Sequence, residues 1–200
     1  MLDLFDYENK YKSLGLVGGL DEAGRGPLAG PVVVALAVMP LDEDKIIDGI
    51  NDSKKLTAKK REELFEKIIN TAIDYSIVEV DEKTIDKINI LQATKLGAKL
   101  CIENLKVSPY IVLTDALTFD TPQKIESIIK GDSKSYNIAA ASILAKVHRD
   151  RLMIELDKKY PQYGFAGHKG YGTKAHIEAL KKYGKCEIHR DSFITHFVEK

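Results

Sequence analysis

Residues 16–39 read LVGGLDEAGRGPLAGPVVVALAVM. The apolar runs at the two ends have the composition of β-strands, and the glycines and prolines between them permit a turn, so the pattern predicts a hairpin. The adjacent acids Asp21 and Glu22 end the first run, directly before a glycine-flanked arginine, Arg25. Neighbouring carboxylates repel each other, which lowers stability unless a cation neutralises them. The stretch therefore predicts a sheet and, at the end of one strand, a cation-binding site.

Two further acids also follow apolar runs. Asp115 comes directly after the run 110–114, and Asp132 follows a run that ends at Gly131. Each acid alone has an ordinary explanation, such as a helix cap, a strand end or a turn. Pro27 weighs against a cap for the first pair, because neither it nor the β-branched run beyond it continues a helix. Together the four acids predict a site for Mg²⁺ or Mn²⁺, and two such ions can hold the attacking and leaving oxygens of a phosphodiester.

The composition is that of one globular domain spanning residues 1–200. It is 44% hydrophobic and 30% charged with a formal net charge of zero, which argues against a uniformly basic nucleic-acid-binding surface. The charge is unevenly distributed, however. From Lys134 onward there are 13 Lys and Arg residues but only 7 Asp and Glu residues, and all five histidines lie in this part of the chain. We therefore expect the C-terminal third to face a polyanion, with a helical part from about 161 to 200 forming one side of the groove.

The cysteines and the N-terminus exclude several other classes of protein. Cys101 and Cys186 are far apart and form no CxxC pair, so neither a zinc site nor a disulfide framework is indicated. The N-terminus is acidic and has no signal-peptide pattern. The longest apolar run, 32–38, is too short to span a bilayer. These features predict a cytoplasmic protein without a membrane segment.

Apolar spacing and turn residues give a coarse prediction of the elements. Strands are predicted at 16–21, 31–39, 75–80 and 110–114, and helices at 54–70, 84–105 (in two pieces), 137–160 and 175–183. A further helix is predicted from Thr121 and Pro122, with Ile125, Ile128 and Ile129 on its inner face. Strands come early and helices late, so we expect an α/β protein with a mixed sheet.

Three other segments carry residue types that bind phosphate or nucleotides. The Gly-Arg-Gly of 24–26 fits neither common phosphate-loop template. Its glycines let a ligand come close to the backbone, and a simple glycine turn in a hairpin is compatible with that use. Residues 52–55, DSKK, can start a helix or hold a phosphate at a helix N-terminus. Residues 163–173, YGFAGHKGYGT, can stack on nucleotides or form a packed glycine-rich loop.

Six motifs occur in one order along the chain: DEAGRGPLAGP, NDSKKL, the aspartate after YIVLT, KGDSKSYNIAAASILAKVHRDRLM, YGFAGHKGYGT and HRDSF. In this order they resemble type 2 ribonuclease H, the ribonuclease HII family. The resemblance implies a ribonuclease H-like α/β fold, in which helices flank a mixed central sheet and a helical part follows. It also implies a monomeric endonuclease that cuts 5′ of a ribonucleotide in RNA/DNA hybrids and in duplex DNA with embedded ribonucleotides, leaving 3′-hydroxyl and 5′-phosphate ends.

The resemblance also implies roles for individual residues. The catalytic set that binds two Mg²⁺ or Mn²⁺ ions maps onto Asp21, Glu22, Asp115 and Asp132, with Asp21 bridging the ions. Recognition of the ribonucleotide maps onto Gly24, Arg25 and Gly26, and the junction-sensing tyrosine onto Tyr171. Candidates for phosphate contacts are Ser53, Lys54, Ser142, Lys146 and Lys169.

Three alternatives stay open at this stage. A catalytically silent nucleic-acid-binding module could keep the fold, although a pure binder would gain from losing negative charge beside phosphates. A resolvase or transposase-like nuclease could use the same fold. The sister family, ribonuclease HIII, shares the acids but normally carries an extra N-terminal domain, and the 20 residues before Asp21 are too few for one.

Overall fold

The computed structural model describes residues 4–197, which form a five-stranded sheet flanked by helices. The strands are β1 Val17–Ala23, β2 Val32–Val38, β3 Asp74–Val80, β4 Ile111–Asp115 and β5 Ile125–Ile128. Within the described range the helices are α1 Asp6–Tyr11, α2 Ala58–Thr71, α3 Glu82–Ile88, α4 Ile90–Glu103, α5 Tyr136–Lys159, α6 Phe165–His168, α7 Lys174–Tyr183 and α8 Asp191–Ile194. None of these helices combines the length and the apolar character that crossing a membrane requires.

The strand order β3-β2-β1-β4-β5 makes the sheet mixed. Strands β1, β2 and β3 pair antiparallel, whereas β4 lies parallel to both β1 and β5. In the parallel pair Leu20 lies opposite Thr114. The next residues, Asp21 and Asp115, therefore lie side by side, two residues before the end of β1 and at the last residue of β4. The topology alone brings two of the predicted acids together.

The two faces of the sheet bury different helices, as the alternation of side chains along a strand requires. On one face, Val33, Ala35 and Ala37 of β2 pack against α5 and α2. On the other face, Val34 and Leu36 pack against α4. The residues from Tyr136 to Ala145, which include the alanine-rich part of α5, are all buried.

Helix α5 crosses β1 at Gly19 with no space for a side chain. A Cβ atom on Gly19 would lie 2.1 Å from the carbonyl carbon of Asn137 and 2.2 Å from the amide nitrogen of Ile138. The glycine therefore lets the first turn of α5 lie directly on the strand, two residues before Asp21. This contact fixes α5 relative to the strand that carries the first acid.

The predicted hairpin, the two-piece helix and the long helix are all confirmed. The helix predicted at Thr121 and Pro122 is wrong, because residues Ile125–Ile128 form strand β5 and pair with β4. Ile128 is the last residue of this strand and is 3% exposed, whereas Ile129 lies in the turn that follows and is 75% exposed. This short segment is a strand because β4 supplies its hydrogen-bonding partner, and the spacing of apolar residues within the segment cannot show that pairing.

The predicted helix 54–70 also divides into a 3₁₀ turn, Ser53–Lys55, and α2.

The part of the chain after α5 is helical and packs on the connection between β1 and β2. Ala29 of that connection lies in one apolar cluster with Met153, Tyr163 and Phe165. Backbone hydrogen bonds reinforce the contact: the N–H of Leu28 donates to the carbonyl of Gly170, and that of Gly30 to the carbonyl of Ile188. Residues 198–200 of the predicted C-terminal part lie outside the described range.

Candidate active site

Three of the predicted acids converge near the carboxyl ends of β1 and β4. One carboxylate oxygen from each of Asp21, Asp115 and Asp132 lies within 4.8 Å of the other two. Asp132 lies in the 3₁₀ turn Gly131–Ser133, and the N–H of Gly131 donates to Oδ1 of Asp115 over 2.8 Å. The turn that carries one acid is thus hydrogen-bonded to the side chain of another. This spacing suits a divalent cation held by carboxylate oxygens.

The three acids are held at this spacing although their negative charges repel one another. Burial raises the pKa of Asp21 well above its ordinary value, and the charge of Glu22 raises it further. Burial also raises the pKa of Asp132, and the charge of Asp115 adds to that shift. A bound cation would favour the ionised forms of all these groups. The electrostatics therefore match the geometry in pointing to a metal site.

Glu22 lies next to this cluster, outside the set of three acids. Its Oε1 accepts a hydrogen bond from Nη1 of Arg25 at 3.3 Å. Among the described residues, its buried Oε2 has no hydrogen-bond partner. Burial raises the pKa of Glu22, although the charge of Arg25 acts in the opposite direction. A buried carboxylate oxygen without a partner fits a group that receives a cation, so the donor set is compatible with the predicted metal.

A cleft of about 250 Å³ opens beside Asp21 and Glu22. It is lined by all but one of the predicted substrate-binding residues: Gly24, Arg25, Gly26, Ser53, Lys54, Ser142, Lys146 and Tyr171. Lys169 is not part of this lining, and its Nζ donates to the carbonyl of Ala166. The structure therefore gathers residues that are up to 150 positions apart in sequence at one opening, while Lys169 stays a prediction.

Three polar side chains of the cleft already have partners within the protein. Nζ of Lys54 lies 3.4 Å from Oδ2 of Asp132, and Nζ of Lys146 lies 2.7 Å from Oδ1 of Asp150. The hydroxyl of Ser142 donates to the carbonyl of Ala139. These groups would therefore exchange an internal partner for a phosphate rather than gain a first one.

Tyr171 faces Gly26 across the cleft. A Cβ atom on Gly26 would lie 3.8 Å from Cε1 of the tyrosine ring. The backbone of Tyr171 is held on both sides, since its N–H donates to the carbonyl of His168 and its carbonyl lies 2.9 Å from Nδ1 of His176. His176 in turn contacts His189 through their Nε2 atoms at 3.1 Å. The exposed ring thus stands on a rigidly held loop.

Two buried arginines that sequence reasoning did not single out hold this cleft together. Arg149 is 1% exposed and donates to the carbonyls of Pro31, Lys169 and Ala29 over 2.9, 2.9 and 3.1 Å. Gly24 has a φ of +92°, and a Cβ atom there would lie 1.9 Å from Nε of Arg149. The glycine is therefore required both by its backbone conformation and by the arginine packed against it.

Arg190 holds the glycine-arginine-glycine segment itself. It is 0% exposed and donates to the carbonyls of Gly24, Arg25 and Gly30 over 2.6, 2.9 and 2.7 Å. The sequence did contain a signal for both arginines. Each is the centre of a His-Arg-Asp tripeptide, at 148–150 and 189–191, and each tripeptide belongs to one of the six ordered motifs.

Comparisons with known proteins agree with this arrangement. The sequence model of the family "Ribonuclease HII" matches residues 18–196. The chain belongs to the ribonuclease HII family. The ribonuclease HII of Acetivibrio thermocellus is 58% identical over 96% of this chain and 73% of its own length. That of Caldicellulosiruptor bescii is 56% identical over 97% of this chain and 95% of its own length.

A solved structure supports the same assignment. The ribonuclease H2 from Pyrococcus horikoshii OT3 superposes with a TM-score of 0.75 at 30% identity, covering 88% of this chain and 93% of that one. As a member of the ribonuclease HII family, the protein is a type 2 ribonuclease H, an endonuclease that acts on nucleic acid and depends on a divalent metal. The ribonuclease H-like fold expected from the motifs is confirmed.

The buried arginines generate a stability prediction with a matched control on the same helix. Arg149→Ala removes three hydrogen bonds and leaves buried carbonyls without donors, so it should lower the free energy of unfolding by about 3 kcal/mol. Arg151→Ala removes exposed ion pairs with Glu62 and Glu66 and should lower it by less than about 1 kcal/mol. Urea denaturation of both variants measures the difference. Equal losses would show that Arg149 does not hold the cleft.

Proposed function

We propose that the protein hydrolyses the phosphodiester bond 5′ of a ribonucleotide, both in RNA/DNA hybrids and in duplex DNA that contains embedded ribonucleotides. The products are 3′-hydroxyl and 5′-phosphate ends. The observation that carries this proposal is the group of three carboxylates within 4.8 Å of one another, of which Asp21 also lines a cleft with glycine backbone and lysines. Family membership supports the choice of reaction.

The metal-binding set in this proposal is Asp21, Glu22, Asp115 and Asp132. Two Mg²⁺ or Mn²⁺ ions supply, when bound, an activated water and stabilisation of the departing 3′ oxygen. Asp21 contributes a carboxylate at the centre of the set, because it lies beside Asp115 in the sheet and precedes Glu22 in the chain. Asp132 contributes from the turn before α5, on the side where Lys54 approaches.

Recognition of the ribose is assigned to the backbone of 24–26. A 2′-hydroxyl both donates and accepts a hydrogen bond, which is how a protein distinguishes RNA from DNA at one position. Arg190 uses the carbonyls of Gly24 and Arg25, and each carbonyl oxygen keeps a second lone pair. The buried arginine therefore orients the segment without exhausting its capacity to accept a hydrogen bond from the ribose.

The nucleotide 3′ of the ribose is assigned to Tyr171. Its ring faces Gly26, so a sugar held by the glycine segment lies within reach of the ring. A tyrosine ring packs on a deoxyribose, and a 2′-hydroxyl at the same place would crowd it.

Electrostatic attraction of the backbone phosphates is assigned to Lys54, Lys146 and Lys169, with Ser53 and Ser142 as neutral contacts. We further propose that the enzyme acts in the cytoplasm as a monomer and as a single domain over 1–200.

One cleavage assay tests the proposed reaction and its rivals. Duplex DNA with a single ribonucleotide is incubated with the enzyme and Mg²⁺, Mn²⁺ or a chelator, and the ends are mapped. We expect a cut on the 5′ side of the ribonucleotide that requires the metal. Binding without cleavage would favour a silent module, and cleavage of an all-DNA junction would favour a resolvase-like nuclease.

Asp115→Asn should reduce cleavage of this substrate at least about 100-fold, because the metal ions supply several kcal/mol of transition-state stabilisation. Asp120→Asn is the matched control, since Asp120 is an exposed acid of the loop that follows β4. It should retain activity within about twofold, as expected for a surface change away from the site. Substantial Mg²⁺-dependent cleavage by the Asp115 variant would remove that residue from the proposed set.

Tyr171→Ala should lower cleavage of single embedded ribonucleotides about tenfold more than cleavage of long RNA/DNA hybrids, since loss of a stacked aromatic ring costs about 1–3 kcal/mol. Tyr171→Phe separates the ring from its hydroxyl. Tyr183→Ala, at another exposed tyrosine outside the cleft lining, is the control and should leave the ratio unchanged. A wild-type ratio in Tyr171→Ala would exclude a junction-sensing role.

A further inference from the structure

Glu8 of α1 is a fully buried carboxylate at the amino end of α5. Its side chain is 0% exposed. Oε1 accepts hydrogen bonds from the hydroxyl of Ser135 at 2.6 Å, from the N–H of Asn137 at 3.0 Å and from Nδ2 of Asn137 at 3.3 Å. Ser135 is the N-cap of α5, and its Oγ accepts from the N–H of Ile138. An acid 127 positions away in sequence therefore completes the cap of the helix.

Burial and hydrogen bonding act in opposite directions on the charge of Glu8. Burial is the larger effect and raises its pKa, whereas the donors on Asn137 and Ser135 partly offset that shift. The partial positive charge of a helix N-terminus also favours a carboxylate there. Three donors converge on Oε1, while Oε2 is buried and has no partner among the described residues. Oε1 is therefore the acceptor that holds these donors of α5 in place.

The hydrogen bonds continue from Glu8 to the acid cluster. The N–H of Ser135 donates to the carbonyl of Gly131 at 2.9 Å. The N–H of Gly131 donates in turn to Oδ1 of Asp115 at 2.8 Å. Asp132 lies within this short path, directly after Gly131. A shift of the first turn of α5 would therefore move two of the three clustered acids.

The third acid depends on the same turn of α5. The Gly19 contact involves Asn137, the residue whose N–H and side chain donate to Glu8. Oδ1 of Asn137 also accepts from the N–H of Met39, next to β2. Glu8 thus holds the turn that lies on β1 two residues before Asp21. A single buried side chain is connected to every acid of the cluster.

We propose that Glu8 is a positioning residue that sets the spacing of Asp21, Asp115 and Asp132, and through that spacing the affinity for divalent ions. The inference rests on the proposed metal site and adds a residue outside it. It predicts that loss of Glu8 weakens metal binding while leaving contacts with the nucleic acid intact. A residue that only anchored α1 would change stability alone.

The test is direct Mn²⁺ binding to the substrate-free protein, measured by electron paramagnetic resonance of the free ion. Glu8→Ala should weaken binding about tenfold, and Glu8→Gln at least about threefold, because the amide keeps one acceptor but places an N–H₂ group where Oε2 has no partner. At saturating Mn²⁺, kcat should recover and KM for the nucleic acid should equal the wild-type value. Thermal unfolding of each variant confirms that it is folded.

The matched control is Glu126→Gln. Glu126 of β5 accepts from Lys10 and from the hydroxyl of Tyr11, so this variant loosens a different attachment of α1. It should bind Mn²⁺ as the wild type does. Wild-type affinity in both Glu8 variants, or in Glu8→Gln alone if Glu8→Ala does not fold, would overturn the inference. Absence of Mn²⁺ binding by the wild-type protein would instead contradict the metal site, and the inference with it.

Discussion

The constraint on which this structure depends is the crowding of three carboxylates within 4.8 Å of one another. At an effective dielectric of about 20, two unit charges at this distance repel by roughly 3 kcal/mol, a large fraction of the net stability of a domain. The side chains of Asp21 and Asp132 are also buried, which adds the cost of removing charge from water. Only a frame that cannot relax keeps such groups together. The crowding in turn makes the site ready for a divalent cation.

The frame has three parts, each with a separate physical origin. Parallel pairing of β1 and β4 places Asp21 beside Asp115. The absence of a side chain at Gly19 lets α5 lie against β1, which brings the turn carrying Asp132 to the same edge. Arg190, buried among backbone carbonyls, fixes the segment after β1. Burial, with the charge of Arg149 nearby, lowers the pKa of Arg190 to about 9, so this arginine is itself held at an electrostatic cost.

Sequence reasoning succeeded where the signal was local. The hairpin follows from two adjacent apolar runs, and the convergence of Asp21, Asp115 and Asp132 agrees with their places at the ends of such runs in the sequence. It failed where the decisive partner was distant. Strand β5 is too short for its periodicity to exclude a helix, and its identity depends on pairing with β4. The burial of Arg149 depends on carbonyls about 120 positions earlier, and that of Glu8 on an N-cap 127 positions later. No short stretch of sequence contains both the buried side chain and its hydrogen-bonding partner in either case.

The central claim is that the fold holds the acids together against their repulsion, and its most direct test is the stability of Asp21→Asn in chelator. Because the folded-state pKa of Asp21 is raised, wild-type stability is lost as pH rises from the ordinary aspartate range through that pKa. At pH 7 without metal, Asp21→Asn should be more stable in urea denaturation, by on the order of 1 kcal/mol. That advantage should shrink as pH falls, and Mn²⁺ should reverse it by stabilising only the wild type. A variant no more stable than the wild type at pH 7 in chelator would contradict the account.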